Sequence, residues 1–178
     1  MCITRSSGLS TIIAIKINSI IGFQSSNYQL IKNTISKMQL SQFCKKNKME
    51  YIKTNLIKKS SKLNYPIIIK SDIEKRGKIN VFLIKNKKNF SKNYKISRIL
   101  SFNKKVISQE YIEGFDITVC GYTDDKNKFI FKRFYKEMNR FSENGSIIHE
   151  GFNLINFFKK KKYFKLIKND INKVINKF

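Results

Sequence analysis

The chain has 178 residues, of which 41% are hydrophobic, and it contains seven glycines, one proline and no tryptophan. This composition is enough for one packed domain, or a small domain with part of another, and it excludes a linker-like or collagenous chain. The net charge of +25 invites a nucleic-acid interpretation, but Lys, Asn, Ile, Phe and Tyr, which share A/T-rich codons, are all abundant, and base readout favours arginine over lysine. We therefore keep nucleic-acid binding only as the weaker alternative.

The first predicted element is a helix, because apolar residues recur at helical spacing from Ile12 to Ile21. Ser10 or Thr11 is suited to cap its start. Gly22 follows, and a glycine at this position typically ends a helix by adopting the left-handed conformation. We expect this helix to be an ordinary core element.

A second helix is predicted from Ser36 through Cys44, with the Ser36 hydroxyl as its cap. A short strand at residues 49–52 is implied by the family resemblance given below. A further helix before Tyr65 is predicted by three apolar residues, Leu56, Ile57 and Leu63.

Three β-branched apolar runs predict strands: Tyr65–Lys70, Val81–Ile84 and Val106–Ile112. The first run ends on a lysine, and the polar loop that follows it would bring backbone N–H groups to a polyphosphate. The third run leads into a polar corner, Gln109–Asp116, that is suited to a base and a sugar. With a fourth strand at Ile117–Gly121, we expect one antiparallel sheet.

The rest of the chain is predicted to contain a hairpin turn at Gly121–Lys128, a strand at Phe129–Phe131 and a C-terminal basic amphipathic helix beginning near Phe164. Such a helix can lie on a membrane surface, but we favour a role in packing beside a sheet. His149, the only histidine, cannot build a metal site by itself, and it is not assigned a catalytic role.

The three cysteines are odd in number and show no metal-ligand or CxxC spacing. We interpret them as reduced thiols, with Cys44 and Cys120 largely buried. No transmembrane segment or signal peptide is apparent, so a cytoplasmic location is expected and membrane binding is not.

Three motifs in order resemble the nucleotide-binding subdomain of the ATP-grasp superfamily. The family's "yPviiKp" strand, "GxkGV" loop and "viveEyieGxE" hinge are similar to Tyr65–Lys70, Gly77–Val81 and Val106–Asp116. The subgroup resembles the carbamoyl-phosphate-synthetase-like ligases, with D-alanine–D-alanine ligase and biotin carboxylase as more distant relatives. The implied fold is α+β, with an ATP-grasp-like antiparallel sheet flanked by helices and an incomplete C-terminal subdomain.

The resemblance implies an ATP site with named residues. Lys37, on the helix that the family begins with "dK", and Lys70 would contact the phosphates. Gly77 and Lys78 lie in the loop that would cover them. The hinge would hold adenosine through Gln109, Glu110, Tyr111 and Ile112, and through Asp116 at the ribose.

The loop departs from the family pattern, because residues 71–80 contain a single glycine. Asn80 takes the place of the last glycine, and asparagine tolerates the left-handed conformation better than most residues. Asp72 and Glu74 add negative charge close to where phosphate is expected.

Three regions are implied: 1–48 as the end of a pre-ATP-grasp region with its leading helix, 49–135 as the nucleotide-binding subdomain, and 136–178 as the start of a truncated catalytic subdomain. The family binds Mg²⁺ through acidic strands that would lie beyond Phe178, so no metal ligands are predicted here. The chain is expected to be the ATP-binding portion of a carboxylate–amine (or similar) ligase that acts through an acyl phosphate, without ligation activity on its own. The alternative is a non-catalytic nucleotide-binding or scaffolding fragment, or a split-gene remnant, that pairs with a second polypeptide.

Overall fold

The computed structural model describes residues 9–23, 28–58, 62–75, 80–123, 129–143, 145–154 and 161–175. The chain divides into two compact units, Met1–Tyr111 and Ile112–Phe178. Helices and antiparallel strands make up both units, so the α+β class is confirmed.

The first unit contains four helices and four strands in its described part. They are α1 (Leu9–Ile20), α2 (Tyr28–Ile35), α3 (Lys37–Lys46), β1 (Thr54–Leu56), β2 (Ile67–Ser71), β3 (Phe82–Ile84), α4 (Phe90–Leu100) and β4 (Val106–Glu110), with a 3₁₀ turn at Lys87–Asn89 before α4.

The ends of the first helices agree partly with expectation. Gly22 follows α1 with φ of +77°, as predicted for a terminating glycine. The predicted cap at Ser10 or Thr11 is wrong, because α1 already begins at Leu9. Ser36 does cap α3: its backbone is extended, and its hydroxyl accepts a hydrogen bond from the backbone N–H of Gln39 at 3.1 Å.

The four strands of the first unit form an antiparallel sheet in the order β1-β4-β2-β3. One face carries the core, in which Ile69 is fully buried. The other members of this core are Ile57, Ile67, Phe82, Ile84 and Val106, with Phe90, Tyr94 and Ile96 packed against them. Since the last three belong to α4, this helix covers the core face.

Helix α4 was not predicted, because its sequence reads as a lysine-rich connector. Its buried positions are the polar residues Asn93 and Ser97, which hydrophobic patterning does not mark as inward-facing. The Ser71 hydroxyl at the end of β2 donates to the Ser97 carbonyl at 2.6 Å. Polar contacts therefore contribute to holding this helix against the sheet.

The helix predicted from Leu56, Ile57 and Leu63 is wrong. Thr54–Leu56 is strand β1, Leu56 pairs with Ile107 of β4, and the Ile57 N–H donates to the Val106 carbonyl. Leu56 and Ile57 are extended because their backbones hydrogen-bond to β4. Residues 59–61 lie outside the described part. The strand expected at 49–52 begins instead at Thr54.

The second unit is built on a separate antiparallel sheet, ordered β5-β6-β7. Its elements are β5 (Ile117–Thr123), β6 (Phe129–Phe141), β7 (Ile147–Leu154) and α5 (Lys161–Ile175). All four predicted strands exist, but the expectation that they share one sheet is wrong. Residues 111–116 form no regular structure after β4, and β5 pairs with its sequence neighbour β6. The predicted hairpin is thereby confirmed, with its turn residues 124–128 outside the described part.

Helix α5 contacts the second sheet, as the packing interpretation requires. The Phe164 ring lies edge-on to the Phe134 ring at 5.8 Å between centroids, and Phe134 is 5% exposed. Within the described residues, none of the helices has the length and apolar character needed to cross a membrane.

The described cysteines differ from expectation in their burial. Cys44 is half-buried, whereas Cys120 is exposed, and both are free thiols. The prediction of a largely buried Cys120 is wrong because Cys120 pairs with the exposed Arg133, on the sheet face opposite to that of the buried Phe134. Cys2 lies outside the described residues.

Candidate functional site

Lys70 and Gln109 lie on the same face of the first sheet. Strands β2 and β4 pair so that Ile68 is opposite Gln109 and Lys70 is opposite Ile107. Because opposite residues share a face and side chains alternate along a strand, Lys70 and Gln109 are diagonal neighbours. The core residue Ile69 points to the other face. The pairing thus brings together a predicted phosphate ligand and a predicted adenine ligand.

The side chain of Gln109 is held by β1. Its amide nitrogen donates to the Thr54 hydroxyl at 2.8 Å, and that hydroxyl donates to the Ile52 carbonyl at 2.9 Å. This contact directs the amide carbonyl of Gln109 away from Thr54. A carbonyl so oriented is an acceptor that suits an exocyclic amino group.

The predicted hinge residues fall on the last residue of β4 and the segment after it. Glu110 is exposed and pairs with Ile67, Tyr111 is half-buried, and Ile112 is 61% exposed. Tyr111 closes the first unit and Ile112 opens the second. The run therefore lies where the backbone leaves the sheet.

Asp116 belongs to the second unit, where β6 holds it. Its carboxylate accepts a hydrogen bond from the Asn139 amide at 3.0 Å, and its backbone carbonyl accepts from the Glu137 N–H at 2.9 Å. The Asp116 side chain is exposed, so its carboxylate can accept further hydrogen bonds from sugar hydroxyls.

Lys37 is the first residue of α3, and its ammonium already has anionic and polar neighbours. The Nζ atom lies 2.9 Å from Glu74 Oε1 and 3.4 Å from the Asp72 carbonyl oxygen. The Lys37 N–H also donates to that carbonyl at 3.2 Å. The lysine predicted to meet phosphate is therefore fixed against the segment that follows β2.

Asp72, which the sequence analysis considered only as an unfavourable charge near phosphate, is buried and accepts several hydrogen bonds. It is 3% exposed, and its carboxylate accepts hydrogen bonds from the Ser36 hydroxyl at 2.8 and 3.0 Å, the Met38 N–H at 2.9 Å and the Asn103 amide at 2.7 Å. The first turn of α3 carries no acidic residue of its own. Asp72 supplies the negative charge that this helix end favours.

The glycine loop itself is only partly visible. Gly77 and Lys78 lie outside the described residues. Asn80 is 1% exposed, and its amide donates to the Ser71 hydroxyl. The described non-glycine residues with positive φ do not include Asn80, so the expectation of a left-handed asparagine is wrong. A buried hydrogen bond to β2 explains the residue instead.

A second polar group lies on the sheet of the second unit. The Thr118 hydroxyl donates to Glu137 Oε1 at 2.7 Å, and His149 Nδ1 lies 4.0 Å from Glu137 Oε2 and 3.3 Å from Asn139 Oδ1. The His149 ring packs on Phe152, with 4.4 Å between centroids. Sequence reasoning missed this group because strand pairing, not sequence proximity, brings Thr118 and His149 to Glu137. Among the described residues, no set of three His, Cys, Asp or Glu side chains could hold a metal ion.

Comparison with known proteins shows which solved structures share this fold. No protein-family model and no curated protein sequence matches the chain. Solved structures do match it. An L-amino acid ligase from Bacillus licheniformis has a TM-score of 0.70 at 10% identity, and a D-alanine–D-alanine ligase from Helicobacter pylori has 0.66 at 13% identity. An N5-carboxyaminoimidazole synthetase from Staphylococcus aureus, in complex with ADP, has 0.66 at 16% identity.

Each of these three matches covers 93% of this chain but only part of the solved protein. The chain spans 39% of the Bacillus ligase, 52% of the Helicobacter ligase and 43% of the Staphylococcus synthetase. At these identities the likeness concerns the fold. The predicted resemblance is confirmed at that level: the chain has the fold of ATP-grasp ligases over part of their length.

Proposed function

We propose that this chain, whose fold is that of ATP-grasp ligases, is the ATP-binding portion of a ligase that joins a carboxylate to an amine or similar nucleophile through an acyl phosphate. The observation that carries the proposal is the pairing of β2 with β4, which sets Lys70 beside Gln109 on one sheet face. The fold neighbour in complex with ADP supports the same nucleotide class.

Two lysines of the first unit are assigned to the phosphates. Lys70 lies on β2, whose backbone is hydrogen-bonded to strands on both sides, and Lys37 begins α3. Rigid elements fix the backbone of both lysines, so no backbone entropy is lost when their ammonium groups meet an anion. Positioning and charge neutralisation are the main contributions that a protein makes to phosphoryl transfer.

The adenosine end is assigned to Gln109, Glu110, Tyr111, Ile112 and Asp116. The Gln109 carbonyl would accept from the adenine amino group, and the backbone after Glu110 would meet the adenine edge. The Asp116 carboxylate would accept from the ribose hydroxyls. Gly77 and Lys78 are proposed to cover the phosphates.

Mg²⁺ is expected from the resemblance, but the described residues offer no cluster of ligands for it. We therefore assign no magnesium ligand in this chain. A second polypeptide that supplies such ligands is a further part of the proposal.

The test compares two lysines of different position. Lys70→Ala should weaken binding of a fluorescent ATP analogue about tenfold or more, because a fixed charge-assisted contact is lost. Lys87→Ala is the matched control, since Lys87 is exposed in the 3₁₀ turn and offers only screened attraction. Equal losses in the two variants would leave bulk positive charge as the explanation.

A further inference from the structure

The ammonium of Lys37 and the carboxylate of Glu74 form a half-buried ion pair. The two atoms are 2.9 Å apart, and the side chains are 24% and 22% exposed. A pair at this depth is screened less than one on the open surface. An anion that binds to the Lys37 ammonium in this geometry therefore also meets the Glu74 carboxylate.

The backbone around Glu74 is held by the end of α4. Glu74 forms an isolated β-bridge with Ser101, the Lys75 N–H donates to the Leu100 carbonyl at 3.2 Å, and the Phe102 N–H donates to the Ile73 carbonyl at 2.8 Å. The carboxylate is thus presented from a fixed piece of backbone.

The Lys37 end of the pair is fixed by Asp72, which lies two residues before Glu74 in the same segment. The Lys37 N–H and ammonium both donate to the Asp72 carbonyl, and the Asp72 carboxylate caps the same helix end. With both backbones anchored, the two side chains stay within reach of each other. Glu74 therefore remains near any ligand that reaches Lys37.

We propose that Glu74 is a specificity-determining residue that makes the Lys37 site discriminate against the most highly charged phosphate ligands. This inference rests on the proposed function in one respect, the contact of Lys37 with phosphate. Repulsion between Glu74 and a ligand grows in proportion to the ligand's charge. Glu74 therefore disfavours a free triphosphate more than a diphosphate, and a monophosphate least.

The negative charge of Glu74 opposes the positive charge of the rest of the chain. The chain has 37 basic and 12 acidic residues, so its general field attracts polyanions of every kind. A carboxylate placed on the phosphate-facing lysine reduces that attraction at one point. It would allow the contacts to adenosine to decide which anion stays bound.

The experiment measures the affinity of the purified chain for inorganic phosphate, pyrophosphate and tripolyphosphate by calorimetry, in EDTA at constant ionic strength. Glu74→Gln should bind tripolyphosphate about fivefold more tightly than the unaltered chain, and phosphate less than about twofold more tightly. Glu50→Gln is the matched control: it removes the same charge at an exposed position of the same unit and should change every affinity by less than about twofold.

A double substitution assigns the effect to Lys37. In a Lys37→Ala background, Glu74→Gln should shift the tripolyphosphate affinity no more than Glu50→Gln does. The proposal is overturned if Glu74→Gln weakens tripolyphosphate binding, if its effect is the same for all three anions, or if the effect survives without Lys37.

The same measurements with ATP separate this inference from the proposed function. If ATP binds no better than tripolyphosphate while Glu74→Gln still strengthens tripolyphosphate binding, the specificity role stands and the adenosine site fails. If ATP binds well and Glu74→Gln changes nothing, the nucleotide site stands and the role of Glu74 fails.

Discussion

The carboxylate of Asp72 and the hydroxyl of Ser36 are joined by hydrogen bonds of 2.8 and 3.0 Å, although 36 residues separate them in the chain. The same hydroxyl accepts from the N–H of Gln39. Ser36 therefore links the first turn of α3 to the segment after β2. This link fixes the start of α3, where Lys37 lies.

Asp72→Ala should destabilise the first unit by about 2–4 kcal/mol. The substitution leaves the Met38 N–H and the Asn103 amide without their acceptor in a buried region, and such losses are among the larger single-residue effects. Urea unfolding followed by circular dichroism measures the change. Asp170→Asn is the control, because Asp170 forms only an exposed pair with Lys173 and should cost less than about 0.5 kcal/mol. Equal costs for the two variants would argue against a structural role for Asp72.

Two isoleucines of the first unit should respond very differently to truncation. Ile69 is 0% exposed in β2, and Ile69→Ala should cost about 2–5 kcal/mol through lost burial and the cavity left behind. Ile99 is 65% exposed on α4, and Ile99→Ala should lie within about 0.5 kcal/mol of the unaltered chain. Thermal and urea unfolding give both values. Similar costs would mean that β2 is not central to the core.

Gly22→Ala should destabilise the end of α1 by about 1 kcal/mol. The residue has φ of +77°, which a side chain disfavours, and nothing lies within 4 Å of the position an added Cβ would take. The cost is therefore backbone strain alone. Gly22→Asn should cost less, since asparagine tolerates this conformation better. If alanine were no worse than asparagine at residue 22, the left-handed conformation would be refuted.

Thiol labelling should distinguish Cys44 from Cys120. Burial raises the pKa of the Cys44 thiol, so at any pH near neutrality it holds less of the reactive thiolate than an exposed thiol does. Its labelling rate should therefore rise at a higher pH than that of a thiol with the ordinary pKa. Cys120 is exposed and should react faster at pH 7 with a disulfide reagent.

The measurement uses two single-thiol variants, each also carrying Cys2→Ser. One keeps Cys44 through Cys120→Ser, and the other keeps Cys120 through Cys44→Ser. Faster labelling of Cys44 in the folded protein would contradict the described burial. Both thiols should react alike in urea, which serves as the control.

Much of the first sheet was predictable from the sequence because its strands carry β-branched runs whose chemistry suits a pleated, buried surface. Lys70 and Gln109 were predicted as site residues, and the strand register sets them on one face. The cap at Ser36 was also predictable, since the Gln39 N–H that donates to its hydroxyl lies only three residues away.

The parts that were missed depend on partners distant in sequence. Helix α4 buries the polar residues Asn93 and Ser97, so hydrophobicity alone does not identify the side chains that it places inside the fold. Leu56 lies in a strand because β4 pairs with it, and Asp72 is buried because Ser36 and Asn103 surround it. A sequence does not display such contacts, since tertiary context decides them.

The order of strands in the first sheet has a consequence for how that sheet meets other molecules at high concentration. The five-residue strands β4 and β2 occupy the interior, and the three-residue strands β1 and β3 form the two edges. A short edge presents few unpaired backbone groups to another molecule, and natural proteins use short edges in this way to avoid adding strands from their neighbours. The sheet that carries Lys70 is thereby a poor template for aggregation, despite the long β-branched runs from which it is built.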